Sequence, residues 1–127
     1  MILNGQLPAS ITAAAQALQR GELLGLPTET VYGLAADAGN DVAVAKIFEA
    51  KGRPANHPLI VHVASAQGVQ RFATHVPDFA QKRVGAFWPG PLTLILPRRP
   101  EVAAVAAGGQ NSVGLRCPSH PTAHAVL

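Results

Sequence analysis

The stretch Lys51-Gly52-Arg53-Pro54, running on through His57 and Pro58 into Leu59-Ile60-Val61-His62-Val63, orients the reading of this 127-residue chain. It places an ammonium and a guanidinium two residues apart, with a glycine between them and a proline fixing the exit. Two such cations in one turn can hold different oxygens of a triphosphate, one as a point charge and one as a fork. They are equally suited to the negative end of a helix dipole, and spacing alone leaves both roles open. The strand that follows is apolar except for His62. Period-two alternation sets Ile60 and His62 on one face and Leu59, Val61 and Val63 on the other. A histidine there is either a satisfied core residue or, beside a cationic loop, a carboxylate contact.

Working upstream, Asn40 or Asp41 caps a helix that runs through Val42, Ala45, Ile47 and Phe48 and ends near Lys51-Gly52. Before it, the apolar strand Leu23 to Leu26 closes on Pro27 and gives way to Thr28-Glu29-Thr30-Val31-Tyr32-Gly33. Four hydrogen-bonding side chains in five positions after a strand end suit a binding wall, although hydroxyls also serve ordinary turns. Leu34 to Ala38 reads as a short extended return. The first helix is expected over Ala9 to Arg20, with Ile11, Ala14, Ala15 and Leu18 on one face, Ser10 as its cap and Gly21 as its stop.

Working downstream, Ser65 to Phe72 reads as a short helix and Asp78 to Trp88 as a longer one. Phe87-Trp88-Pro89-Gly90-Pro91 is a rigid corner with Trp88 packed inward. Leu92 to Leu96 and Ser112 to Cys117 are strands, separated by the Ala-rich stretch Val102 to Ala107, which reads as a mobile loop. Arg116 is the one charge in its strand and requires a partner, an acid or an anionic ligand. Strands alternating with helices predict an α/β domain with a mixed sheet.

Apolar residues make up 48% and charged residues 13%, a balance that excludes a disordered chain. One domain of this length buries roughly two-thirds of its unfolded surface. The net charge of +3 is compatible with a nucleotide or RNA partner without demanding one. A single cysteine, Cys117, precludes an internal disulfide and fits a reducing cytoplasm. No apolar run reaches the ~18–20 residues of a membrane span, and the N-terminus lacks the pattern of a signal peptide. A cytoplasmic protein without membrane contact is expected.

Pro121 to Leu127 reads as a helix only begun, with Ser119 as its cap, and this predicts a piece of a longer domain. Cys117, His120 and His124 have a ligand-like spacing but are one short of a structural zinc set, so no metal site is expected there. No Walker loop, dinucleotide fingerprint, nucleophile elbow or carboxylate pair is present.

In order along the chain, Pro27-Thr28-Glu29-Thr30-Val31-Tyr32-Gly33-Leu34, Lys51-Gly52-Arg53-Pro54, Pro58 to Val63, Phe87-Trp88-Pro89-Gly90-Pro91-Leu92-Thr93 and Val113-Gly114-Leu115-Arg116-Cys117-Pro118 resemble the YrdC-type threonylcarbamoyl-AMP synthases. The resemblance implies a twisted mixed sheet with flanking helices and a concave basic cavity. It implies an enzyme that joins L-threonine, bicarbonate or CO2, and ATP into threonylcarbamoyl-AMP, releasing pyrophosphate, with Mg²⁺ accompanying ATP. A partner transferase would then modify tRNA, with direct tRNA contact an open expectation. By the same resemblance Thr30, His62 and Arg116 hold threonine, Lys51, Arg53, His57 and Ser112 face ATP, and Lys51 and Arg53 act in catalysis.

Two departures accompany the resemblance. His57 stands where the family often has Asn or Lys, and the family's Ser-x-Asn motif is absent from these 127 residues. The single YrdC-like domain, residues 1–127, is thus expected to lack its C-terminal part and to be weakly active or inactive as it stands. Two other readings stay in view: an RNA-binding module without chemistry, and a carbamoyl-transfer domain related to hydrogenase maturation.

Overall fold

The computed structural model describes residues 2–27, 32–52 and 58–127. In chain order the elements are α1 (Pro8–Gln19), β1 (Leu24–Pro27), β2 (Tyr32–Ala35), α2 (Asp41–Lys51), β3 (Ile60–His62), a 3-10 turn (Ala66–Gly68), α3 (Val69–Phe72), α4 (Asp78–Phe87), β4 (Leu94–Pro97), β5 (Ser112–Arg116) and α5 (Pro121–Val126). The α/β class and the mixed sheet expected from the sequence are both present. The described strands divide between two sheets. β1 and β2 form an antiparallel pair, while the second sheet has the order β3-β5-β4, with β3 parallel and β4 antiparallel to β5.

β5 is central in the larger sheet, and its burial shows it. Val113 and Leu115 are almost wholly enclosed, each contributing roughly 1.5–3 kcal/mol through its side chain. They join Val61 and Val63 from one neighbour and Leu94 and Leu96 from the other in the main core, against Val44 and Phe48 of α2. Pro97 lies in β4, an edge strand, where the missing N–H costs no central ladder bond. Its carbonyl accepts from Thr74 N–H at 3.0 Å, so the segment after α3 covers part of that edge.

α2 begins as expected at Asn40, whose Oδ1 accepts from Ala43 N–H at 3.1 Å. It ends at Gly52 in the left-handed region, φ +63°, a conformation that glycine adopts without strain. Its buried stripe differs from the expected one. Ala43, Val44, Ile47 and Phe48 face inward, whereas Val42 and Ala45 are exposed. The pairs 43/47 and 44/48 are the true one-turn neighbours of a single face, and Val42 is rotated off it.

A second, smaller core joins α1, β1 and α5 through Ala14, Leu26, Ala123 and Val126. α1 starts at Pro8, so Ser10 lies inside its first turn instead of capping it; Leu7 is the capping position and makes no side-chain bond. Proline suits the first helical position because its missing N–H would be unpaired there anyway. Lys46 of α2 donates to the Gly21 carbonyl at 3.1 Å, tying the end of α1 to the main body. α5 is capped by His120, not by Ser119: the His120 Nδ1 accepts from Thr122 N–H at 3.2 Å.

The Ala-rich stretch also departs from expectation. Ala103, Ala106 and Ala107 are buried, and Ala106 O accepts from Leu59 N–H at 2.7 Å. Methyl side chains let this backbone approach the core closely, which a loop of larger residues could not do. Arg98 organises the stretch from one side. Its Nη1 donates to the carbonyls of Arg99, Pro100 and Val102, and its Nε to that of Gln110, all within 2.9–3.1 Å.

Candidate functional site

The larger sheet has two unlike faces. Its core face carries Val61, Val63, Leu94, Leu96, Val113 and Leu115. By strand alternation, the other face carries Ile60 and His62 from β3, Ser112, Gly114 and Arg116 from β5, and Ile95 from β4. Ile60 and Ile95 are 52% and 68% exposed, so this face lies open across the Ile60–Gly114–Ile95 row and is covered at Arg116. The alternation read from the sequence around His62 is therefore the one observed.

His62 and Arg116 are in-register partners across the parallel β3–β5 pair, on strands about 4.8 Å apart. Equivalent positions in such a pair project to the same side, so imidazole and guanidinium leave the same face of the sheet. Ser112 begins β5 on that face, opposite Pro97. Four residues of strand rise separate it from Arg116, about 13 Å. Between them Gly114 leaves a low floor. A Cβ there would stand 3.4 Å from Ile95 Cδ1 and Thr93 Cγ2 and 3.8 Å from Ile60 Cγ1.

Arg116 is 7% exposed and is the one buried charged side chain among the described residues. One of its partners is neither the acid nor the anionic ligand foreseen from the sequence but a backbone oxygen: its Nε donates to Gly90 O at 3.1 Å. A carbonyl meets the hydrogen-bonding need of a buried cation without cancelling its charge. Gly90 in turn donates its N–H to Cys117 O at 2.7 Å, and Trp88 Nε1 donates to Leu92 O at 2.8 Å across the corner. Trp88 is half-buried against the main core, as the sequence suggested.

Lys51 closes α2 in an exposed last turn. The chain then re-enters the sheet at Pro58 and Leu59, beside the Ser112–Gly114 end of β5 and away from His62 and Arg116. Thr30, Arg53 and His57 lie outside the described residues. The structure thus brings His62 and Arg116 together and sets Ser112 on the same face, one strand length away.

Sequence reasoning missed Gly90 and Gly114. A glycine inside a strand signals close approach, which marks Gly114; nothing local ties Gly90 to a side chain in a distant strand. Among the described residues no group of three His, Cys, Asp or Glu is arranged to hold a metal ion, and Cys117, His120 and His124 do not assemble into one. A cavity of about 610 Å³ lies between α1 and α5 and another of about 300 Å³ beside α3 and α4; neither includes Lys51, His62, Ser112 or Arg116. No helix among the described residues is long and apolar enough to cross a membrane.

A mixed sheet with one face sunk in a core and the other carrying His62, Gly114 and Arg116 defines an α/β domain. Residues 16–127 match the Sua5/YciO/YrdC family, described as "Telomere recombination", and the chain belongs to that family. It is 48% identical over 113 residues to the threonylcarbamoyl-AMP synthase of Pyrococcus abyssi, covering 89% of this chain and 33% of that protein. It is 45% identical over 118 residues to the Bacillus subtilis enzyme of the same name, covering 92% and 34%. The crystal structure of P. abyssi Sua5 complexed with L-threonine superposes with a TM-score of 0.90 at 43% identity, over 99% of this chain and 36% of that one. The chain thus spans about a third of the length of these relatives.

Proposed function

We propose that this chain provides the L-threonine and ATP binding face of a threonylcarbamoyl-AMP synthase. The observation that carries the reading is the in-register pair of His62 and Arg116, with Ser112 on the same face of the sheet. Support comes from the name of the P. abyssi and B. subtilis relatives and from the L-threonine bound to P. abyssi Sua5. Those names favour a synthase over an RNA-binding module or a carbamoyl-transfer domain.

In this reading the threonine carboxylate meets the guanidinium of Arg116 and the imidazole of His62, with Thr30 completing that end. ATP lies along the face toward Ser112, its phosphates met by Lys51 and Arg53, with His57 beside them. The threonine amine adds to CO2, forming an N–C bond and releasing a proton. An oxygen of the resulting carbamate then attacks the α-phosphorus of ATP, the bond to the β-phosphate breaks, and pyrophosphate leaves. Such a transfer calls for no protein nucleophile. It calls for alignment and for cations where negative charge grows, which is what Lys51, Arg53 and Arg116 supply. Mg²⁺ enters as the ion carried by the triphosphate. The product would pass to a transferase that modifies tRNA.

The test is pyrophosphate release from ATP in a chain extended to the length of its relatives. Release that depends on both L-threonine and bicarbonate supports the reading. RNA binding with a steep salt dependence and no pyrophosphate would replace it with the module reading.

A further inference from the structure

We infer that Trp88 is a positioning residue for substrate binding, acting through Gly90 on Arg116. The inference rests on the reading above, in which Arg116 faces the threonine carboxylate. Gly90 makes reciprocal bonds to two consecutive residues at the end of β5: it donates to Cys117 O at 2.7 Å and accepts from Arg116 Nε at 3.1 Å. One residue therefore bonds both the strand's backbone and, beside further contacts of Arg116, the side chain that leaves it.

The corner that carries Gly90 is itself pinned at three points. Trp88 N–H donates to Val84 O at 3.0 Å, anchoring it to the last turn of α4. The Trp88 indole N–H reaches across Pro89, Gly90 and Pro91 to Leu92 O at 2.8 Å, closing the loop on itself. Gly90 is buried, and a Cβ on it would lie 2.7 Å from Phe87 O, so the corner has no slack there.

A guanidinium is planar. Holding its Nε–H on a fixed carbonyl fixes that plane and the direction in which its two Nη groups face. Bidentate recognition of a carboxylate depends on that direction more than on charge alone. A corner loosened by loss of the indole bond would let the Gly90 carbonyl drift, and Arg116 would keep its charge but lose its aim. Trp88 is the chain's single tryptophan, so replacing tryptophan alters this site alone.

The experiment compares the wild-type chain with Trp88→Phe, and with a chain whose tryptophan is replaced by its benzothiophene isostere, which keeps the ring shape but lacks the N–H. Four quantities are read: hydrogen exchange at Arg116 Nε–H and general amide protection by NMR, and L-threonine affinity and ATP affinity by calorimetry. We expect Nε–H exchange and the threonine Kd each to rise about tenfold, the effect of one lost hydrogen bond, with ATP affinity unchanged. Unchanged Nε–H exchange overturns the inference. So does a parallel loss of threonine affinity, ATP affinity and general amide protection, which would mark Trp88 as merely structural. If Trp88→Phe fails to fold, the isostere decides. If a wild-type chain extended to the length of its relatives binds no threonine, the functional reading falls, and the Nε–H exchange alone decides whether Trp88 holds Arg116.

Discussion

His62 and Arg116 stand opposite one another in register on parallel strands, while Val61 and Leu115, one residue back on each strand, face each other inside the core. On the proposed reading, binding and stability fall to alternate positions of the same two strands. Substitutions in β5 should separate the two properties cleanly.

Leu115→Ala is expected to cost about 2–5 kcal/mol of stability, because it hollows the most enclosed point of the core. Ser112→Ala, on the open face, should stay within about 0.5 kcal/mol of wild type yet weaken ATP binding. Urea unfolding and ATP titration of both variants check this. A Ser112→Ala chain with full ATP affinity would remove that residue from the site.

Gly114→Val fills the floor between Ser112 and Arg116. The new side chain would crowd Ile95, Thr93 and Ile60 from the solvent side of the sheet, leaving the core face untouched. We expect a change of about 1–2 kcal/mol in stability with threonine and ATP binding both reduced at least about tenfold. Calorimetry with each ligand tests it, and normal affinity would show that ligands do not lie across this glycine.

Arg53→Ala should reduce ATP affinity by about tenfold or more, the loss of a charge-assisted hydrogen bond, without lowering the melting temperature. In a chain extended to its relatives' length, the same change should stop pyrophosphate release. An unchanged rate would return Lys51-Gly52-Arg53-Pro54 to the role of helix-end cations.

Arg98→Met is expected to destabilise the fold by about 2–3 kcal/mol, since carbonyls held by one cation lose it together. Amide exchange should quicken first over residues 102–110 and at Leu59, whose N–H depends on Ala106. Arg98→Lys should rescue only in part, because one ammonium could serve the three carbonyls that Nη1 reaches but would lose Gln110 O, which Nε meets. Equal exchange across the whole chain would mean that this stretch does not open on its own.

Asn40→Ala should cost about 1 kcal/mol and Asn40→Asp much less, since either Asn or Asp offers an oxygen to Ala43 N–H. Thermal unfolding measures both. Equal losses would mean that the cap bond contributes nothing.

What the sequence disclosed follows from the range of the forces involved. The alternation about His62, the Asn40 cap and the Gly52 stop are local, set by neighbours within a turn, and each is found where local chemistry places it. The site's assembly is not local. The Cα register of His62 with Arg116 and the bond from Arg116 to Gly90 depend on how distant segments pack, and no residue near either position encodes its partner. The buried alanines misled for a related reason. A run of small residues ended by two glycines reads as loose until the space it fills is known. His120 took the place expected for Ser119 because the helix starts at Pro121, putting an imidazole nitrogen, not a hydroxyl, within reach of Thr122 N–H.

The parallel pairing of β3 with β5 has a consequence for how the molecule is made. The two strands are joined only after everything between them, including α4 and β4, has been synthesised and gathered in. Such distant pairings are slow to form, since the intervening chain must give up its freedom before any contact compensates. The event that seals Val61 against Leu115 is also the event that raises His62 beside Arg116. A half-folded copy therefore has neither the sealed core pair nor the His62–Arg116 pair, and on the proposed reading the fold and its binding capacity mature in a single closure.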